Sequence, residues 1–334
     1  MRSLVGRGAL HAAAAISVVF LGLPTIAAEP VLRVQTGLPR NHDLVQSFFR
    51  NFLEPVNEKS KGSVRLVYLG GPEITPARRA ASALQRGVID MLQSPSAYYA
   101  GQVPLAAGLI ATNQTPDQLR ANGGMAIMQR IWKERLNAHI LAWPEFGAQY
   151  ALYFARKPKL DKDGVPDLRG FKMRTTPAYR PILAALGASQ VGIPAPEMYT
   201  ALQRGLVDGL AWPNVALASM GITSQIKFRL DPPFYHLSNL TLVNLDKWNA
   251  LPKAARDYLT HMGRRYEAES EKGIDKLKRQ DAEKLGAAGT TTIELKGTAA
   301  KKYLKIALDS MWQRLEATMG KDELAEIRPK LYVE

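Results

Sequence analysis

"ALQRGVID" (residues 83–90) returns as "ALQRGLVD" (residues 201–208) in this chain of 334 residues. In each copy, four residues with high helix propensity precede a glycine, the residue that most readily takes the left-handed conformation that ends a helix. A short apolar run follows, VIDML in the first copy and LVDGLAW in the second, and such a run is typical of a buried strand. The repeat therefore predicts two α/β lobes built on one plan, and a chance recurrence of common helix residues is the alternative.

Residues 1–28 have the composition of a secretory leader. Arg2 and Arg7 form a basic start, ALHAAAAISVVFLGL is the apolar stretch, and small residues before position 28 suit cleavage. The apolar stretch is too short to span a bilayer comfortably, although an uncleaved membrane anchor is the alternative. We therefore expect the chain to be exported to the periplasm and to lose this signal peptide.

The composition is that of an ordinary globular protein with an excess of basic residues. The chain has no cysteine, so an exported form would be held together by its core alone, and its formal net charge is +14. The basic residues are dispersed, and the densest run, KGIDKLKRQDAEK, is interleaved with acids. This pattern indicates a solvated helix face and argues against a nucleic-acid partner. A diffuse positive field favours anionic small molecules or a negative membrane surface.

Motifs that carry catalysis or bind cofactors are missing from the sequence. The remaining histidines show no HExxH spacing, and there is no GxSxG, Walker or GxGxxG motif. The acidic residues show no calcium-binding loop pattern. We therefore expect that the protein is not an enzyme and has no cofactor. The alternative is a catalytic triad whose residues lie far apart in the sequence and so form no motif.

The most specific pattern covers residues 167–213, which read DLRGFKMRTTPAYRPILAALGASQVGIPAPEMYTALQRGLVDGLAWP. It resembles the solute-binding subunit of tripartite ATP-independent periplasmic (TRAP) transporters, the DctP type. The matching positions are Asp167, Leu168, Gly170, Lys172, Arg174, Glu197, Tyr199–Gln203, Gly205 and Val207–Gly209. The stretch GGPEITPARRAASALQRGVIDM (70–91) and a long helix expected from Pro252 to Leu285 extend the likeness over nearly the whole mature chain.

The resemblance implies a fold and a function. The fold would be the α/β, two-lobed periplasmic binding protein fold with a long helix spanning both lobes. Lobe I would comprise residues 29–147 and 238–277, and lobe II residues 148–237 and 278–334. Such a protein captures a small organic acid in the cleft between the lobes and delivers it to the permease subunits in the membrane. A periplasmic enzyme acting on an organic acid is the alternative.

In the family, the arginine of the K-x-R strand grips the substrate carboxylate, and here that residue is Arg174. Arg174 is chemically suited to this role, because a guanidinium presents a planar fork that matches a carboxylate and does not lose its proton. Some relatives also use an arginine at the position of Arg78, in the helix before the first ALQRG.

Two departures from the family pattern bear on the ligand. Many relatives have a second arginine where this chain has Gln149, and many read Q-E-N-P where it reads LAWP, with Ala211 and Trp212 in the acid and amide positions. Relatives that bind a metal beside a 2-oxo acid use a glutamate here, so we expect no metal. We expect a monocarboxylate with an apolar group against Trp212 and a hydroxyl or oxo group near Gln149. Tyr235 and Trp143 offer further aromatic surface, with the hydrophobic core as the alternative place for each.

Overall fold

Residues 29–333 are described by a computed structural model, so the expected leader at residues 1–28 lies outside the described residues. Two sheets form the framework, with a short pair of strands beside the second. The strands are β1 (Val31–Thr36), β2 (Arg65–Gly70), β3 (Met91–Pro95), β4 (Ala138–Ala142), β5 (Gln149–Phe154), β6 (Lys159–Leu160), β7 (Pro166–Asp167), β8 (Lys172–Thr175), β9 (Ser189–Gly192), β10 (Gly209–Pro213), β11 (Phe228–His236), β12 (Asn239–Asn244) and β13 (Thr291–Glu294).

The helices lie around these sheets. They are α1 (Asp43–Phe48), α2 (Glu54–Lys59), α3 (Ala77–Gln85), α4 (Leu105–Gly108), α5 (Pro116–Ala121), α6 (Gly124–Leu136), α7 (Arg180–Ala185), α8 (Met198–Gln203), α9 (Leu245–Ala250), α10 (Lys253–Ala287), α11 (Gly297–Thr318) and α12 (Lys321–Leu331). A π-helical turn, Phe49–Leu53, joins α1 to α2. No helix within residues 29–333 is long and apolar enough to cross a membrane.

The two sheets share one arrangement of five strands, to which the second sheet adds β13 at its edge. The first has the order β2-β1-β3-β12-β4 and the second the order β13-β11-β5-β10-β8-β9. In each, three strands run parallel: β1, β2 and β3 in the first sheet, β8, β9 and β10 in the second. The next strand, β12 or β5, is antiparallel to them and enters the sheet from the other lobe. The α/β class and the two-lobed plan expected from the sequence are confirmed.

Each copy of the repeat forms a helix, a left-handed glycine and a strand, as predicted. Gly87 follows α3 at φ 70° and Gly205 follows α8 at φ 64°. Each glycine accommodates the reversal that ends its helix, because a residue without Cβ takes a positive φ at little cost. The strands begin later than the apolar runs suggest, at Met91 and at Gly209. The residues between the glycine and the strand form the turn into the sheet.

The long helix α10 joins the two lobes. It has 35 residues and is therefore about 50 Å long. Its first half packs on β4 and on the π-helical turn of the first lobe, and its second half packs on the turns at residues 218–220 and 223–225 of the second. The long spanning helix expected from Pro252 to Leu285 is thus confirmed.

The last two helices have different main packing partners. Helix α11 lies mainly on α7 beside the second sheet and also contacts α4, whereas α12 lies on α6 beside the first sheet. Ion pairs of Arg130 with Glu326 and of Arg135 with Glu323 hold α12 on α6. The residue boundaries expected for the two lobes stay a prediction, and this packing shows that the chain's carboxyl end contacts the first lobe.

Candidate functional site: a cleft around a buried arginine

Two connected cavities lie between the sheets and share Arg174. The outer cavity has a volume of ≈ 310 Å³ and the inner one of ≈ 30 Å³. Their walls come mainly from residues that end the parallel strands or follow directly after them, which is where open α/β sheets bind ligands. The outer cavity is lined by Gly37, Leu38, Pro39, Pro72, Pro76, Ala77, Arg78, Tyr98, Arg174, Ile193, Pro194, Ala195 and Pro196. The inner one is lined by Leu38, His42, Leu44, Pro95, Ala97, Tyr98, Tyr150, Arg174, Thr176, Tyr179, Trp212, Pro213 and Leu237.

Arg174 is a buried cation on β8 with only 2% of its surface exposed. Its Nε donates to the carbonyl of Ile193 at 3.0 Å, and its Nη1 donates to the hydroxyl of Tyr179. The guanidinium carbon lies 5.6 Å from the centre of the Trp212 ring. These contacts fix the orientation of the guanidinium plane.

Across residues 29–333, no carboxylate lies within ion-pair distance of Arg174. A buried charge without a counter-ion is costly, and arginine does not escape that cost by losing its proton. The guanidinium of Arg174 is therefore available to an anionic group placed in either cavity.

The phenols around Arg174 are neutral hydrogen-bonding groups. Burial raises the pKa of Tyr150 and of Tyr179, and the nearby guanidinium of Arg174 only partly opposes the shift. Burial acts to lower the pKa of Arg174, but the neighbouring Tyr179 and Tyr98 outweigh it and the pKa is raised. The inner cavity thus presents one fixed positive charge, that of Arg174, among uncharged donors and acceptors.

His42 belongs to the inner cavity. It caps the amino end of α1, where its Nδ1 accepts a hydrogen bond from the backbone N–H of Leu44 at 3.2 Å. Its side chain is buried, and its ring centre lies 6.0 Å from that of Trp212. Burial lowers the pKa of His42 to about 4, so the imidazole is neutral near pH 7.

The structure brings together three of the five residues expected at the site. Arg174 lines both cavities, Trp212 lines the inner one and Arg78, which is exposed, lines the outer one. Within the described chain, neither Gln149 nor Tyr235 is among the lining residues. Their role as ligand contacts stays a prediction.

The other contacts of Gln149, Tyr235 and Trp143 are made within the protein. The backbone N–H of Gln149 donates to Asn214 Oδ1 at 3.0 Å, which holds the start of β5 to the end of β10. The hydroxyl of Tyr235 donates to the carbonyl of Ala307 in α11. The indole N–H of Trp143 donates to the carbonyl of Leu237 at 3.0 Å. Both aromatic side chains are buried, as the core alternative expected.

Sequence reasoning missed His42, Tyr98, Thr176 and Tyr179. Each lies in a turn or a helix start that follows a parallel strand: β1 for His42, β3 for Tyr98, and β8 for the other two. The first few residues after each predicted strand were therefore the signal to search. No motif marks them, because the fold alone decides which of these residues face the cleft.

Besides α10, two crossing segments that run side by side join the lobes. Residues 143–148 lead from β4 to β5, and residues 237–238 lead from β11 to β12. The N–H of Leu237 donates to the carbonyl of Ala148 at 2.7 Å, and the rings of Phe146 and His236 stack at 4.3 Å. Motion of one lobe against the other would bend both segments together.

Helix α10 holds the first crossing segment through acceptors on three of its side chains. Glu267 accepts from the N–H of Trp143 at 2.7 Å, Ser270 from that of Glu145 at 3.1 Å, and Glu271 from that of Gly147 at 3.0 Å. The helix therefore fixes the backbone of the crossing as well as the lobes on either side of it.

Glu145 is a buried carboxyl inside this crossing, with 1% of its surface exposed. Its Oε2 accepts from Asn239 Nδ2 at 2.9 Å, and its Oε1 accepts from the hydroxyl of Tyr266 at 3.3 Å. Burial raises the pKa of Glu145 to about 7, since these hydrogen bonds oppose the shift only in part.

Two wider clefts lie elsewhere on the molecule. One, of ≈ 690 Å³, runs between α11 and α12, and another, of ≈ 590 Å³, lies beside α5 and α10. In the second, Arg120 already pairs with Glu267 at 2.6 Å. Among the described residues that line these two clefts there is no buried cation without a counter-ion, in contrast to the cleft at Arg174.

Comparison with known proteins agrees with this geometry. The family model described as "Bacterial extracellular solute-binding protein, family 7" (DctP) matches residues 35–318. A "Monocarboxylate 2-oxoacid-binding periplasmic protein" of Nostoc sp. is 29% identical over 210 residues, which are 59% of this chain and 56% of that protein. The chain thus spans little more than half the length of this relative.

Two solved structures show the same fold. One is a TRAP transporter solute-binding protein from Bordetella bronchiseptica with copurified calcium and picolinate (TM-score 0.76, 19% identity, 90% of each chain). The other is a TRAP periplasmic solute-binding protein from Rhodoferax ferrireducens with bound malonate (TM-score 0.73, 21% identity, 89% of this chain and 95% of that one).

The residues of this cleft do not suit a metal such as the calcium of the Bordetella protein. Calcium prefers several oxygen ligands, including carboxylates, and among the described residues that line the two cavities none is an aspartate or a glutamate. Residues 29–333 also contain no group of three or more histidine, cysteine or acidic side chains placed to hold a metal. We therefore assign no step to a metal.

Proposed function

The chain belongs to the DctP family of TRAP transporter solute-binding proteins, and on that premise we propose that it captures a small monocarboxylate between its lobes. The expected leader would place it in the periplasm, where it would deliver the acid to the permease subunits of the same transporter. The family is one of binding receptors and not of enzymes.

The single observation that carries the proposal is the buried guanidinium of Arg174. It is held by Ile193 and Tyr179, faces both cavities and has no acidic partner in the described part of the chain. A carboxylate can accept two parallel hydrogen bonds from such a fork, and the low polarity of the surroundings strengthens this pairing.

A single carboxylate fits the rest of the cleft better than two. Apart from Arg174, the only cation among the described lining residues is Arg78, which is exposed at the outer cavity. The outer cavity is walled largely by proline, alanine, leucine and isoleucine, and Trp212 adds a rigid apolar face to the inner one. The name of the Nostoc relative supports a monocarboxylate, whereas the malonate of the Rhodoferax protein shows that related proteins also take dicarboxylates.

Ligand capture would proceed by closure of the lobes about the crossing segments. Closure would bury the ligand and its carboxylate, and opening would release it to the permease. The lobe boundaries expected near residues 147 and 238 form part of this proposal.

Thermal unfolding in the presence of a panel of acids tests the proposal. Monocarboxylates with an apolar body should raise the melting temperature more than succinate, malate or malonate at equal concentration. A ligand at 100 times its Kd should add roughly 2.7 kcal/mol to the free energy of unfolding. Chromatography of the same mixtures should recover the acid unchanged, and the radius of gyration measured by scattering should fall on binding. A dicarboxylate that outranked every monocarboxylate would overturn the ligand class, and conversion of the acid would overturn the receptor function.

A further inference from the structure

The inner cavity contains two buried N–H donors that have no hydrogen-bond partner in residues 29–333: Nε2 of His42 and Nε1 of Trp212. Both side chains line this cavity, and their rings are 6.0 Å apart. A buried donor without an acceptor is rare and costly, so each such donor calls for an explanation. Because both side chains line one small cavity, a single acceptor in that cavity is a candidate partner for both donors.

The hydrogen bonding of His42 decides which ring nitrogen carries the proton. Nδ1 accepts from the backbone N–H of Leu44, so in the neutral ring the hydrogen is on Nε2. Burial also keeps the imidazole neutral, with its pKa lowered to about 4. His42 is therefore a fixed donor towards whatever occupies the inner cavity, as is the indole of Trp212, which can only donate.

The size and position of the inner cavity limit its occupant. A volume of ≈ 30 Å³ holds one water molecule or one small group of a ligand. Arg174 lines this cavity and also the outer one. A ligand whose carboxylate lies on Arg174 and whose body fills the outer cavity would therefore place the substituent next to its carboxylate in the inner cavity.

We propose that His42 and Trp212 form a specificity subsite that donates hydrogen bonds to an oxygen on the carbon next to the ligand's carboxylate. The ligand class is then a 2-hydroxy or 2-oxo monocarboxylate. This inference rests on the proposed function, since it takes Arg174 as the carboxylate site. It assigns the recognition of that oxygen to His42 and Trp212 in place of Gln149.

Matched pairs of acids test the subsite by calorimetry. The pairs are lactate with propanoate, 2-hydroxy-3-methylbutanoate with 3-methylbutanoate, and 2-hydroxy-3-phenylpropanoate with 3-phenylpropanoate. In at least one pair, the wild type should bind the hydroxy acid about 10- to 100-fold more tightly, because a site built to donate to an oxygen rejects the analogue that lacks it. The corresponding 2-oxo acid should share that preference.

Two variants locate the preference. His42→Ser keeps a side chain that caps α1 well but does not reach the position of Nε2, and it should reduce the preference to within about 3-fold. Trp212→Phe keeps an aromatic wall without the N–H and should reduce it several-fold. His139→Ser is the matched control: His139 is a half-buried histidine that stacks on Trp248 at 4.0 Å, away from the cleft, and its replacement should leave the preference unchanged.

The possible results distinguish failure of the His42–Trp212 subsite from failure of the proposed carboxylate-binding function. Equal binding of both members of every pair by the wild type would mean that a resident water satisfies the donors; the subsite would then be wrong while the carboxylate receptor stands. A preference that survives both His42→Ser and Trp212→Phe would also overturn it. If no member of any pair binds, the monocarboxylate function fails together with the subsite.

Discussion

The two copies of the repeated octapeptide form the same structure in the two lobes. In the first, the N–H of Val88 donates to the carbonyl of Ala83, and in the second the N–H of Leu206 donates to that of Ala201, both at 2.9 Å. The aspartate three residues after each glycine also makes the same hydrogen bond in both lobes. Asp90 accepts from the backbone N–H of Arg33 at 2.9 Å, and Asp208 accepts from that of Lys172 at 2.8 Å. The repeat is therefore scaffold: it ends a helix and joins two parallel strands.

The lobes differ two positions after the residue that each aspartate bonds: Gln35 follows Arg33 in β1, and Arg174 follows Lys172 in β8. In the first sheet Gln35 is paired with Leu92, and in the second Arg174 is paired with Leu210, so the two residues occupy equivalent places. The amide of Gln35 donates within its own lobe, to the carbonyls of Gly71 and Thr75. Arg174 has a charge that its lobe does not neutralise. One scaffold thus supports a closed polar contact in the first lobe and, in the second, a buried guanidinium that has no acidic partner among residues 29–333.

A second pair of equivalent positions also has a residue that packs within the first lobe and a residue that lines the cleft in the second. The residue before the terminal proline is Ser94 in β3 and Trp212 in β10. Ser94 packs so closely on Gly37 that a side chain at position 37 would overlap it. Trp212 instead forms a wall of the inner cavity. At these two pairs of positions the cleft residues, Arg174 and Trp212, belong to the second lobe, and the first lobe contributes His42, Tyr98 and part of the wall of the outer cavity.

The largest expected effect comes from replacing Arg174 by glutamine, the residue at the equivalent position of the first lobe. Arg174→Gln should weaken carboxylate binding by at least about 2–5 kcal/mol, the cost of removing one partner of a buried charge pair. Arg174→Lys should recover only part of this loss, because an ammonium cannot form the two-pronged contact. Calorimetry with the best acid of the panel measures both, and Lys172→Gln, on an exposed residue of the same strand, is the control. Normal binding by Arg174→Gln would remove the arginine from the site.

The carboxyl between the lobes contrasts with the paired aspartates inside them. Glu145 has no cation within ion-pair distance in residues 29–333, and burial raises its pKa to about 7 from an ordinary value of 4.5. A carboxyl whose pKa is raised by folding stabilises the folded state at a pH below its pKa in the unfolded chain. This stabilisation is lost as the pH rises through the pKa of the carboxyl in the folded protein. The wild type should therefore lose roughly 2–3 kcal/mol of unfolding free energy between pH 5 and pH 8 from this group.

Glu145→Gln, which is neutral at every pH, should lack that loss. Urea unfolding at pH 5 and pH 8 measures the change, and Glu58→Gln, on an exposed glutamate, is the control for removing one carboxyl. The prediction is wrong if wild type and Glu145→Gln depend on pH in the same way over this interval.

The two aspartates of the repeat should differ in their contribution to stability because they differ in burial. The side chain of Asp90 is 3% exposed and that of Asp208 is 24% exposed. Burial acts to raise both pKa values, but hydrogen bonds from Arg33 and Arg156 outweigh it and the pKa of each aspartate is lowered. Asp90→Ala should cost about 2 kcal/mol and Asp208→Ala about 1 kcal/mol, because water can replace the lost acceptor only at the second site. Equal losses in chemical denaturation would show that burial does not separate them.

The smallest effect should be the same in both lobes. An alanine Cβ at Gly87 or Gly205 would meet no atom within 4 Å, so only the left-handed backbone opposes it, at about 1 kcal/mol each. Gly87→Ala and Gly205→Ala should therefore lower the free energy of unfolding equally, and the double variant should show the sum. A large difference between the single variants would indicate that the two turns are not equivalent.

The sequence predicted most of the scaffold and only part of the site. The repeat, its glycines and the long helix depend on local patterns, and Arg174 lies in a motif that the family shares, so all of these could be recognised. His42 and Tyr98 could not, because they reach Arg174 only when two strands distant in the chain end at the same cleft. Gln149 was selected because relatives have an arginine there, yet its place at the start of β5 does not bring it to the lining of either cavity.

The position of β12 determines the order in which the protein can fold during its synthesis. This strand, residues 239–244, lies between β3 and β4 in the first sheet, although seven strands from β5 to β11 precede it in the chain. A chain that emerges from its amino end cannot complete the first sheet until residue 244 has appeared, and α12 joins that lobe later still. Contacts between such distant segments also form slowly. The topology therefore keeps both lobes unfinished until late in synthesis.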